Sequence, residues 1–259
     1  MDAGFLDRAL AIARDAAAAA AEVIRHYYER GVATETKADQ TPVTVADREA
    51  EVVIKDVLRR AFPQHAFYGE EHGREGDSDY LWLIDPIDGT KAFVRGYPMF
   101  STQIALMHRG TLVLGVSSAP VYGELAWARV GGGAFLDGKP LHVSAAKEFD
   151  ATTAISIGNV KTLTRGARWN ALGELIQRSG RIRGYGDFLH YHLLARGCID
   201  LVIESDVNIL DIAALAVIVR EAGGVFTDLQ GAELTLETMS VLTGTPALHK
   251  QALAMFARA

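Results

Sequence analysis

The first sixty residues show apolar positions at helical spacing. Such positions recur from about Phe5 to Tyr28, where a run of alanines supplies the strongest helix former, and this helix is expected to end near Gly31. A second helical pattern extends from Ala50 to Phe62 and stops at Pro63, because proline cannot continue a helix. The pattern therefore predicts two helices, followed by a short strand at residues 66–68.

Strand patterns dominate the middle of the chain. The continuous apolar run from Tyr80 to Ile84 has the length of a buried strand, and Asp85-Pro86 ends it. Asp137-Gly138 between two short apolar stretches indicates a hairpin turn. Further strands are predicted at residues 101–108, 111–120 and 124–130.

The remainder of the chain mixes both periodicities, which predicts an α/β protein. Gly223-Gly224 closes one helix before a short strand. No repeat or low-complexity linker marks a boundary, so residues 1–259 are interpreted as one domain, with a possible division into halves 1–145 and 146–259. The predicted helices are 168–177, 188–196 and 211–222, and the predicted strands are 154–157, 201–204 and 225–227.

Composition narrows the classes of partner. The hydrophobic content of 49% is ample for a buried core, and a net charge of -6 without a basic stripe argues against nucleic acid. Charged residues interrupt the alanine-rich first helix, and no apolar run nears the ~20 residues that span a bilayer, so no membrane segment is expected. Cys198 is the single cysteine, which excludes an intrachain disulfide and is consistent with a reducing cytoplasm. It lies in an apolar run and is expected to be a small buried hydrophobe.

The segment from Asp85 to Thr90 carries the clearest chemistry. A strand delivers Asp85, Pro86 forces a turn, and Asp88 suits the cap position of a helix that starts with Gly89 and Thr90. Such a turn directs two carboxylates and several unpaired backbone N–H groups into one space. The N–H groups suit a phosphate, but the carboxylates repel it.

That conflict is the argument for a metal ion. Two carboxylates about 4 Å apart oppose each other by roughly 4 kcal/mol at an effective dielectric constant of ~20. Divalent cations remove the repulsion, and oxygen ligands without His or Cys favour Mg²⁺ or Mn²⁺ over zinc. Calcium is less favoured, because the chain has no dense acidic loop with alternating ligands.

Four further acids could complete such a cluster: Glu70, Glu71, Asp47 and Asp211. Spacing alone does not establish that they converge. Taken singly, Asp211 has an alternative interpretation as a helix cap, Asp47 as an acid of a first helical turn, and Glu71 as a solvated side chain. Glu75 is also expected to be solvated.

Four motifs, in this order and spacing, resemble the inositol monophosphatase-like superfamily over nearly the whole chain. They are V-T-V-A-D ending at Asp47, Gly69-Glu70-Glu71, Asp85-Pro86-Ile87-Asp88-Gly89-Thr90, and Asp211 followed by Glu221-Ala222-Gly223-Gly224. The resemblance implies a layered αβαβα sandwich, usually assembled as a homodimer. It also implies a magnesium-dependent phosphatase that binds two or three metal ions.

The resemblance further implies roles for individual residues. Gly89 and Thr90 would hold the phosphate through backbone N–H groups. Glu70 and the Thr90–Asp47 pair would help to deprotonate a metal-bound water for in-line attack on phosphorus. The implied metal ligands are Glu70, Asp85, the carbonyl of Ile87, Asp88 and Asp211.

Two positions need comment within this resemblance. The family usually has tryptophan where this chain has Leu210, which changes the packing behind Asp211 but not the ligand itself. Lys37 lies in a loop that carries a lysine near the metals in many relatives, and no role is assigned to it here.

Within the superfamily, the stretches Phe93 to Gly96 and Tyr185 to Leu189 are most similar to bacterial histidinol-phosphate phosphatases, which act in histidine biosynthesis. Inositol phosphatases generally carry a small residue where Asp187 stands, and an acid there would favour the histidinol ammonium. Glu204 and His190 are further candidates for substrate contacts. His190 and His192, two apart in a helix, point to different faces and are not expected to share a zinc ion.

Other functions stay open at this point. The alternatives within the superfamily are an inositol monophosphatase and a phosphatase of sugar or adenosine bisphosphates. A non-catalytic binding protein with the same fold is a third possibility. It is less favoured, because every implied ligand, together with Thr90 and Asp47, is present in the sequence.

Overall fold

A computed structural model describes residues 2–31, 34–36 and 42–258. Within these residues the chain forms seven helices and fifteen strands. The helices are α1 (Ala3–Arg30), α2 (Val45–Ala61), α3 (Thr90–Val94), α4 (Arg168–Arg178), α5 (Asp187–Ala195), α6 (Ile209–Glu221) and α7 (Pro246–Phe256). The strands are β1 (Thr34–Thr36), β2 (Pro42–Thr44), β3 (Ala66–Gly69), β4 (Gly73–Glu75), β5 (Tyr80–Asp88), β6 (Ser101–His108), β7 (Thr111–Ala119), β8 (Glu124–Arg129), β9 (Ala134–Leu136), β10 (Lys139–Pro140), β11 (Ala154–Ile157), β12 (Arg181–Arg183), β13 (Leu201–Ser205), β14 (Val225–Thr227) and β15 (Ser240–Gly244).

Two large sheets and three helix layers alternate. Helices α1 and α2 pack on one face of an eight-stranded sheet, whose order is β10-β9-β8-β7-β6-β5-β3-β4. Helices α5 and α6 lie between this sheet and a five-stranded sheet of order β12-β11-β13-β15-β14. Helices α4 and α7 pack against each other, and α7 contacts β15 of the second sheet. The predicted layered αβαβα architecture is confirmed.

Three hydrophobic clusters correspond to the three helix layers and their contacts with the sheets. The first joins α1 and α2 to the large sheet and includes Ile24, Ile54 and Trp82. The second surrounds α5 and α6, and the third joins the small sheet to α4 and α7. Helix α6 is apolar on nearly all sides, as expected for a helix enclosed between two sheets.

Helix α6 approaches the large sheet very closely at Gly115 of β7. A Cβ atom on Gly115 would lie 2.3 Å from the carbonyl oxygen of Ala214. Only glycine fits there, so the backbone of α6 rests directly on β7. A helix from the second half of the sequence is therefore packed into the sheet of the first half.

Several elements begin or end away from their predicted bounds because of local hydrogen bonds. Helix α2 begins at Val45 because Thr44 caps it, and α6 begins at Ile209 because Asn208 caps it. Strand β5 continues to Asp88 through an irregularity after Asp85. The expectation that Asp88 caps α3 is wrong: Gly89, with a φ of 93°, occupies the cap position.

Six elements were not predicted. Strands β1, β2, β4, β12 and β15 are short or carry few alternating apolar residues, and α7 follows β15 directly. Helix α7 is capped by the hydroxyl of Thr245 and has Pro246 in its first turn. The predicted hairpin at Asp137-Gly138 joins β9 to β10.

The expectation that Cys198 is buried is wrong, because its side chain is exposed. It follows the turn at Gly197, where φ is 70°, and the neighbouring Ile199 enters the core in its place. Among the described residues, none of the helices is both long enough and apolar enough to cross a membrane.

Candidate active site

The candidate site lies where β5 passes into α3. Asp85 is 2% exposed, and its Oδ1 atom accepts a hydrogen bond from the N–H of Ile87 at 3.0 Å. The pairing of β5 with β6 shifts between Asp85 and Asp88, which aims both carboxylates to one side. Gly89 is required at the next position, because a Cβ atom would lie 2.5 Å from the carbonyl oxygen of Met99.

Asp85, Asp88 and Asp211 converge on one point. Each offers a carboxylate oxygen, and these oxygens all lie within 4.8 Å of one another. The Oδ2 atom of Asp88 is buried and has no hydrogen-bond partner in the protein. A buried carboxylate oxygen without a donor is costly, so this orphaned oxygen and the convergence of three acids fit a divalent cation.

Burial and mutual repulsion raise the pKa values of all three carboxyls. The pKa of Asp85 is well above its usual value because of burial and, after that, the charges of Glu70, Asp88 and Asp211. Burial and the neighbouring acids likewise raise the pKa of Asp88. The pKa of Asp211 rises to about 7, mainly through burial. The cluster therefore resists full ionisation until a cation offsets the repulsion.

Asp47 connects helix α2 to the same place. It is fully buried, and its Oδ2 atom accepts the N–H and hydroxyl of Thr44 at 2.8 and 2.6 Å. Its Oδ1 atom lies 3.2 Å from the hydroxyl oxygen of Thr90, which is also 3.0 Å from the carbonyl oxygen of Ile87. The hydroxyl has one proton, so Thr90 can donate to only one of these acceptors at a time. Burial raises the pKa of Asp47, although the hydrogen bonds from Thr44 oppose the shift.

Glu70 follows β3 and lines the same cleft. Its N–H donates to the carbonyl oxygen of Ile84 at 3.1 Å. Glu71 does not line the cleft and is partly exposed. Glu75, expected to be solvated, has a side chain that is 41% exposed, but it also pairs with Lys55 at 2.5 Å and with Arg59 at 2.7 Å. The Lys55 hydrogen bond leads in lowering its pKa.

Asp211 combines a structural contact with its place in the cluster. It lies in the first turn of α6 and accepts the backbone N–H of Asn208 at 3.0 Å and the side-chain amide of Asn208 at 2.7 Å. Its interpretation as part of a helix cap and its convergence with Asp85 and Asp88 are thus compatible. Leu210, next to it, is 4% exposed and packs into the central core.

The cleft has a volume of about 360 Å³, and Asp187 is among the residues that line it. The charge of Asp187 contributes to the raised pKa of Asp88. Asp187 is the first residue of α5 and has a φ of 45°. Burial and the charge of Glu204 raise its pKa to about 6, while His190 opposes that shift. The cleft is lined by Glu70, Asp85, Ile87, Asp88, Gly89, Thr90, Lys91, Ala92, Tyr97, Asn159, Asp187, Asp206 and Asp211.

Glu204 and His190 are buried behind Asp187 and do not line the cleft. Glu204 accepts the hydroxyl of Tyr191 at 2.8 Å and the N–H of Asn159 at 3.1 Å. The Nε2 atom of His190 lies 3.2 Å from Glu204 but is poorly aligned for a hydrogen bond. Burial favours a raised pKa for Glu204, yet His190, Tyr191 and Asn159 together lower it.

The two histidines of α5 have separate partners. His190 contacts Ser156 at 3.3 Å on the side of the small sheet. His192 lies 2.9 Å from both Glu124 and Ser117 of the large sheet. Their imidazoles therefore belong to different hydrogen-bond networks.

Sequence reasoning missed several residues of the cleft: Lys91, Tyr97, Asn159 and Asp206. Lys91 follows Thr90 directly and could have been identified as a cation beside the phosphate motif. Asp206, with a φ of 60°, holds Thr162 at the carboxyl end of β13. Lys37 lies outside the described residues.

Comparison with known proteins places these features in a family context. The model of the inositol monophosphatase family matches residues 6–259. A histidinol-phosphatase of Streptomyces coelicolor is 42% identical over 207 residues, which is 76% of this chain and 77% of that protein.

Relatives with other names are similar over more of the chain. The Nus factor SuhB of Escherichia coli is 35% identical over 251 residues, which is 95% of this chain and 94% of that protein. A solved structure of Thermotoga maritima IMPase has a TM-score of 0.84 and 31% identity, and it covers 98% of this chain and 97% of that chain. Proteins of the same fold thus carry different names.

Proposed function

Because this chain belongs to the inositol monophosphatase family, whose members are metal-dependent phosphatases, we propose that it hydrolyses histidinol phosphate to histidinol and phosphate. The observation that carries the choice of substrate is Asp187, a carboxyl that lines the same cleft as Asp85, Asp88 and Asp211 and comes from a different element, α5. Its place suits an ester that has a cationic group beyond its phosphate. The histidinol-phosphatase relative supports the same choice.

We propose Mg²⁺ as the metal ion, with Mn²⁺ as a substitute. Glu70, Asp85, the Ile87 carbonyl, Asp88 and Asp211 would hold it, because all are hard oxygen donors at one cleft. When bound, Mg²⁺ supplies Lewis-acid activation of water and neutralises the charge of the phosphate. The orphaned Asp88 oxygen and the three converging carboxylates support this assignment.

The chain's own residues would orient the phosphate and move the proton. The backbone N–H groups of Gly89 and Thr90 bind the phosphate oxygens. The Thr90 hydroxyl donates a hydrogen bond to Asp47 and accepts one from the attacking water. Glu70 takes part in removing the proton of that water. Because Asp47 is fully buried and tied to Thr44, it keeps Thr90 in one position.

Substrate selection is assigned to the residue that α5 contributes to the cleft. We propose that the Asp187 carboxylate accepts a hydrogen bond from the ammonium or imidazolium group of histidinol. Its pKa of about 6 leaves Asp187 ionised at neutral pH. Glu204 and His190, buried behind it, would act by fixing α5 rather than by direct contact. The expected setting is histidine biosynthesis in the cytoplasm, and the expected assembly is a homodimer.

A direct comparison of esters tests the proposal. We expect phosphate release with Mg²⁺ to be most efficient, by kcat/KM, for histidinol phosphate among four esters: histidinol phosphate, inositol 1-phosphate, glycerol phosphate and adenosine 3′,5′-bisphosphate. Higher efficiency on inositol 1-phosphate would overturn the choice of substrate and leave the phosphatase assignment intact. Hydrolysis of none of the four would favour the alternative of a binding protein.

A further inference from the structure

Helix α2 carries a second buried carboxylate one turn after Asp47. Glu51 is four residues further along the helix, so the two side chains leave the same face. The Glu51 side chain is 0% exposed. A fully buried carboxylate is retained only when donors compensate its lost hydration, so its partners indicate what it holds.

The partners of Glu51 are concentrated in the turn that follows Glu70. The N–H of Glu71 donates to one carboxylate oxygen at 2.7 Å. The N–H and the Nδ1 atom of His72 lie 3.2 and 2.8 Å from the other oxygen, and Lys55 Nζ donates to it at 3.0 Å. Glu51 thus fastens the backbone of this turn to α2.

Gly69 shows that the two parts are fitted closely. A Cβ atom at Gly69 would lie 2.2 Å from Glu51 Oε1. The residue before Glu70 therefore rests against the same carboxylate that holds the residues after it. Lys55, itself almost fully buried, donates to both Glu51 and Glu75.

We infer that Glu51 is a positioning residue for Glu70. The Glu70 N–H is tied to Ile84 of β5, and the next amide is tied to Glu51, so the backbone is fixed on both sides of the Glu70 side chain. Helix α2 also carries Asp47, whose Oδ1 atom lies 3.2 Å from the Thr90 hydroxyl oxygen, so one helix contacts both Thr90 and the turn after Glu70. The inference rests on the proposed role of Glu70 as a metal ligand and proton acceptor. Groups that orient ligands in this way typically change metal affinity or activity by 10- to 100-fold when removed.

Glu51→Gln tests the inference with little change of shape. The amide cannot accept from both backbone N–H groups and the histidine as a carboxylate does, so the turn loosens. We expect hydrogen exchange at the amides of Glu71 and His72 to speed up at least about ten-fold. We also expect calorimetric Mn²⁺ binding to weaken, and kcat/KM with Mg²⁺ to fall, by about 10- to 100-fold.

Two further variants separate positioning from general destabilisation. Ile54→Val removes a buried methylene group from α2 at a cost of about 0.5–1.5 kcal/mol without removing a hydrogen bond of the turn, and should leave Mn²⁺ affinity unchanged. Gly69→Ala disturbs the same contact from the other side and should weaken Mn²⁺ binding as Glu51→Gln does. If Ile54→Val weakened Mn²⁺ binding as Glu51→Gln does, with both variants unfolding at the same Tm, the inference would be overturned.

A double-mutant cycle provides the decisive comparison. If Glu51 acts through Glu70, then Glu51→Gln should cost little further Mn²⁺ affinity in a Glu70→Gln background. Full additivity, or unchanged exchange at Glu71 and His72, would refute the positioning role. An inactive wild-type protein that still shows the coupled Mn²⁺ and exchange effects would instead count against the proposed reaction alone.

Discussion

At the scale of single residues, Asp88 offers the sharpest test of the metal centre. Asp88→Asn replaces a carboxylate whose Oδ2 atom is buried and has no partner in the protein. Because the amide is a weak ligand and carries no charge, kcat should fall by several orders of magnitude, with about 1.4 kcal/mol for each factor of ten. Steady-state phosphate release measures this loss.

The matched control for Asp88→Asn is Asp77→Asn, at an exposed position in the loop before β5. This change should alter kcat by less than about two-fold, since exposed substitutions rarely perturb stability by more than ~0.5 kcal/mol. Glu75 does not serve as this control, because it pairs with Lys55 and Arg59. Comparable losses for Asp88 and Asp77 would mean that the site has been misplaced.

Asp187 tests the choice of substrate. Removing its charge should cost about ten- to a hundred-fold in kcat/KM for histidinol phosphate, since a charge-assisted contact is worth roughly 1.5–3 kcal/mol. Asp187→Asn is the better variant than Asp187→Ala, because asparagine tolerates the φ of 45° that alanine resists. Rates on histidinol phosphate and on glycerol phosphate are measured at the same Mg²⁺ concentration.

The neutral ester glycerol phosphate is the control for that experiment. The Asp187 variants should lose far less activity on it, because the carboxylates near Asp85 are unchanged. An equal loss on both esters would show that Asp187 supports the fold or the metals. The choice of histidinol phosphate would then depend on the relatives alone.

Sequence reasoning identified some residues of the site and missed others for a physical reason. The Asp85 to Thr90 segment is local, because a strand end, a turn and a helix start are adjacent in the chain. Glu51 was missed because its partners are about twenty residues away and no local pattern distinguishes it from a surface acid. The ion pairs of Glu75 were missed for the same reason, since its two basic partners lie on α2.

At the scale of elements, His65 links the start of β3 to β5. Its Nδ1 atom accepts the indole N–H of Trp82 at 3.0 Å, and its ring stacks on Tyr80 and Phe62. Burial lowers its pKa to about 4. Between about pH 6.5 and 4, His65 is protonated in the unfolded chain but neutral in the folded chain. The free energy of unfolding therefore decreases as pH falls through that window.

His65→Gln should flatten that pH dependence. We expect the difference in urea midpoint between wild type and variant to shrink as pH falls from 7 to 4, because only the wild type must keep the imidazole neutral. His142→Gln, at an exposed histidine, is the matched control and should leave the slope unchanged. Parallel wild-type and His65→Gln curves would refute the assignment.

Helix and strand bounds were predicted well where packing agrees with local pattern. Strand β6 lies at its predicted residues, 101–108, because its apolar run is buried on both faces. Apolar spacing alone did not indicate helix α7, although Thr245-Pro246 is a helix start signal. Strand β12 has a single partner strand and a largely exposed sequence, so its pattern carries little information.

At the scale of the whole molecule, metal binding should be coupled to pH and to stability. Asp211 has a pKa of about 7, and Asp85 and Asp88 are also raised, so protons compete with the cation. Metal affinity should therefore rise as pH increases from 6 to 8, with proton release on binding. In the metal-free protein these groups act in the opposite direction to His65: their folded pKa values exceed the unfolded ones, so their stabilising contribution is lost as pH rises toward 7.

Thermal unfolding with and without Mg²⁺ checks this prediction. Added Mg²⁺ should raise Tm more at pH 8 than at pH 6, and excess chelator should abolish phosphate release until Mg²⁺ is restored. Calorimetry in buffers of different ionisation enthalpy measures the released protons. Full activity in excess chelator would contradict the proposed metal centre.

The order of the layers was predicted through the family resemblance and not from periodicity alone. Periodicity indicates which segments are helices, but the place of α6 between two sheets depends on contacts such as Gly115 with Ala214. That contact joins positions about one hundred residues apart. No local sequence pattern around Gly115 or Ala214 predicts this contact.

The burial of α6 also constrains how the chain is made. Helix α6 carries Asp211 and the apolar surface that covers the large sheet. It is synthesised long after β5 to β9. On the ribosome, where chains emerge at about 5–20 residues per second, that sheet waits for several seconds with one face uncovered. We expect the nascent chain to expose a chaperone-binding surface during that interval and to acquire its cation only after α6 has docked.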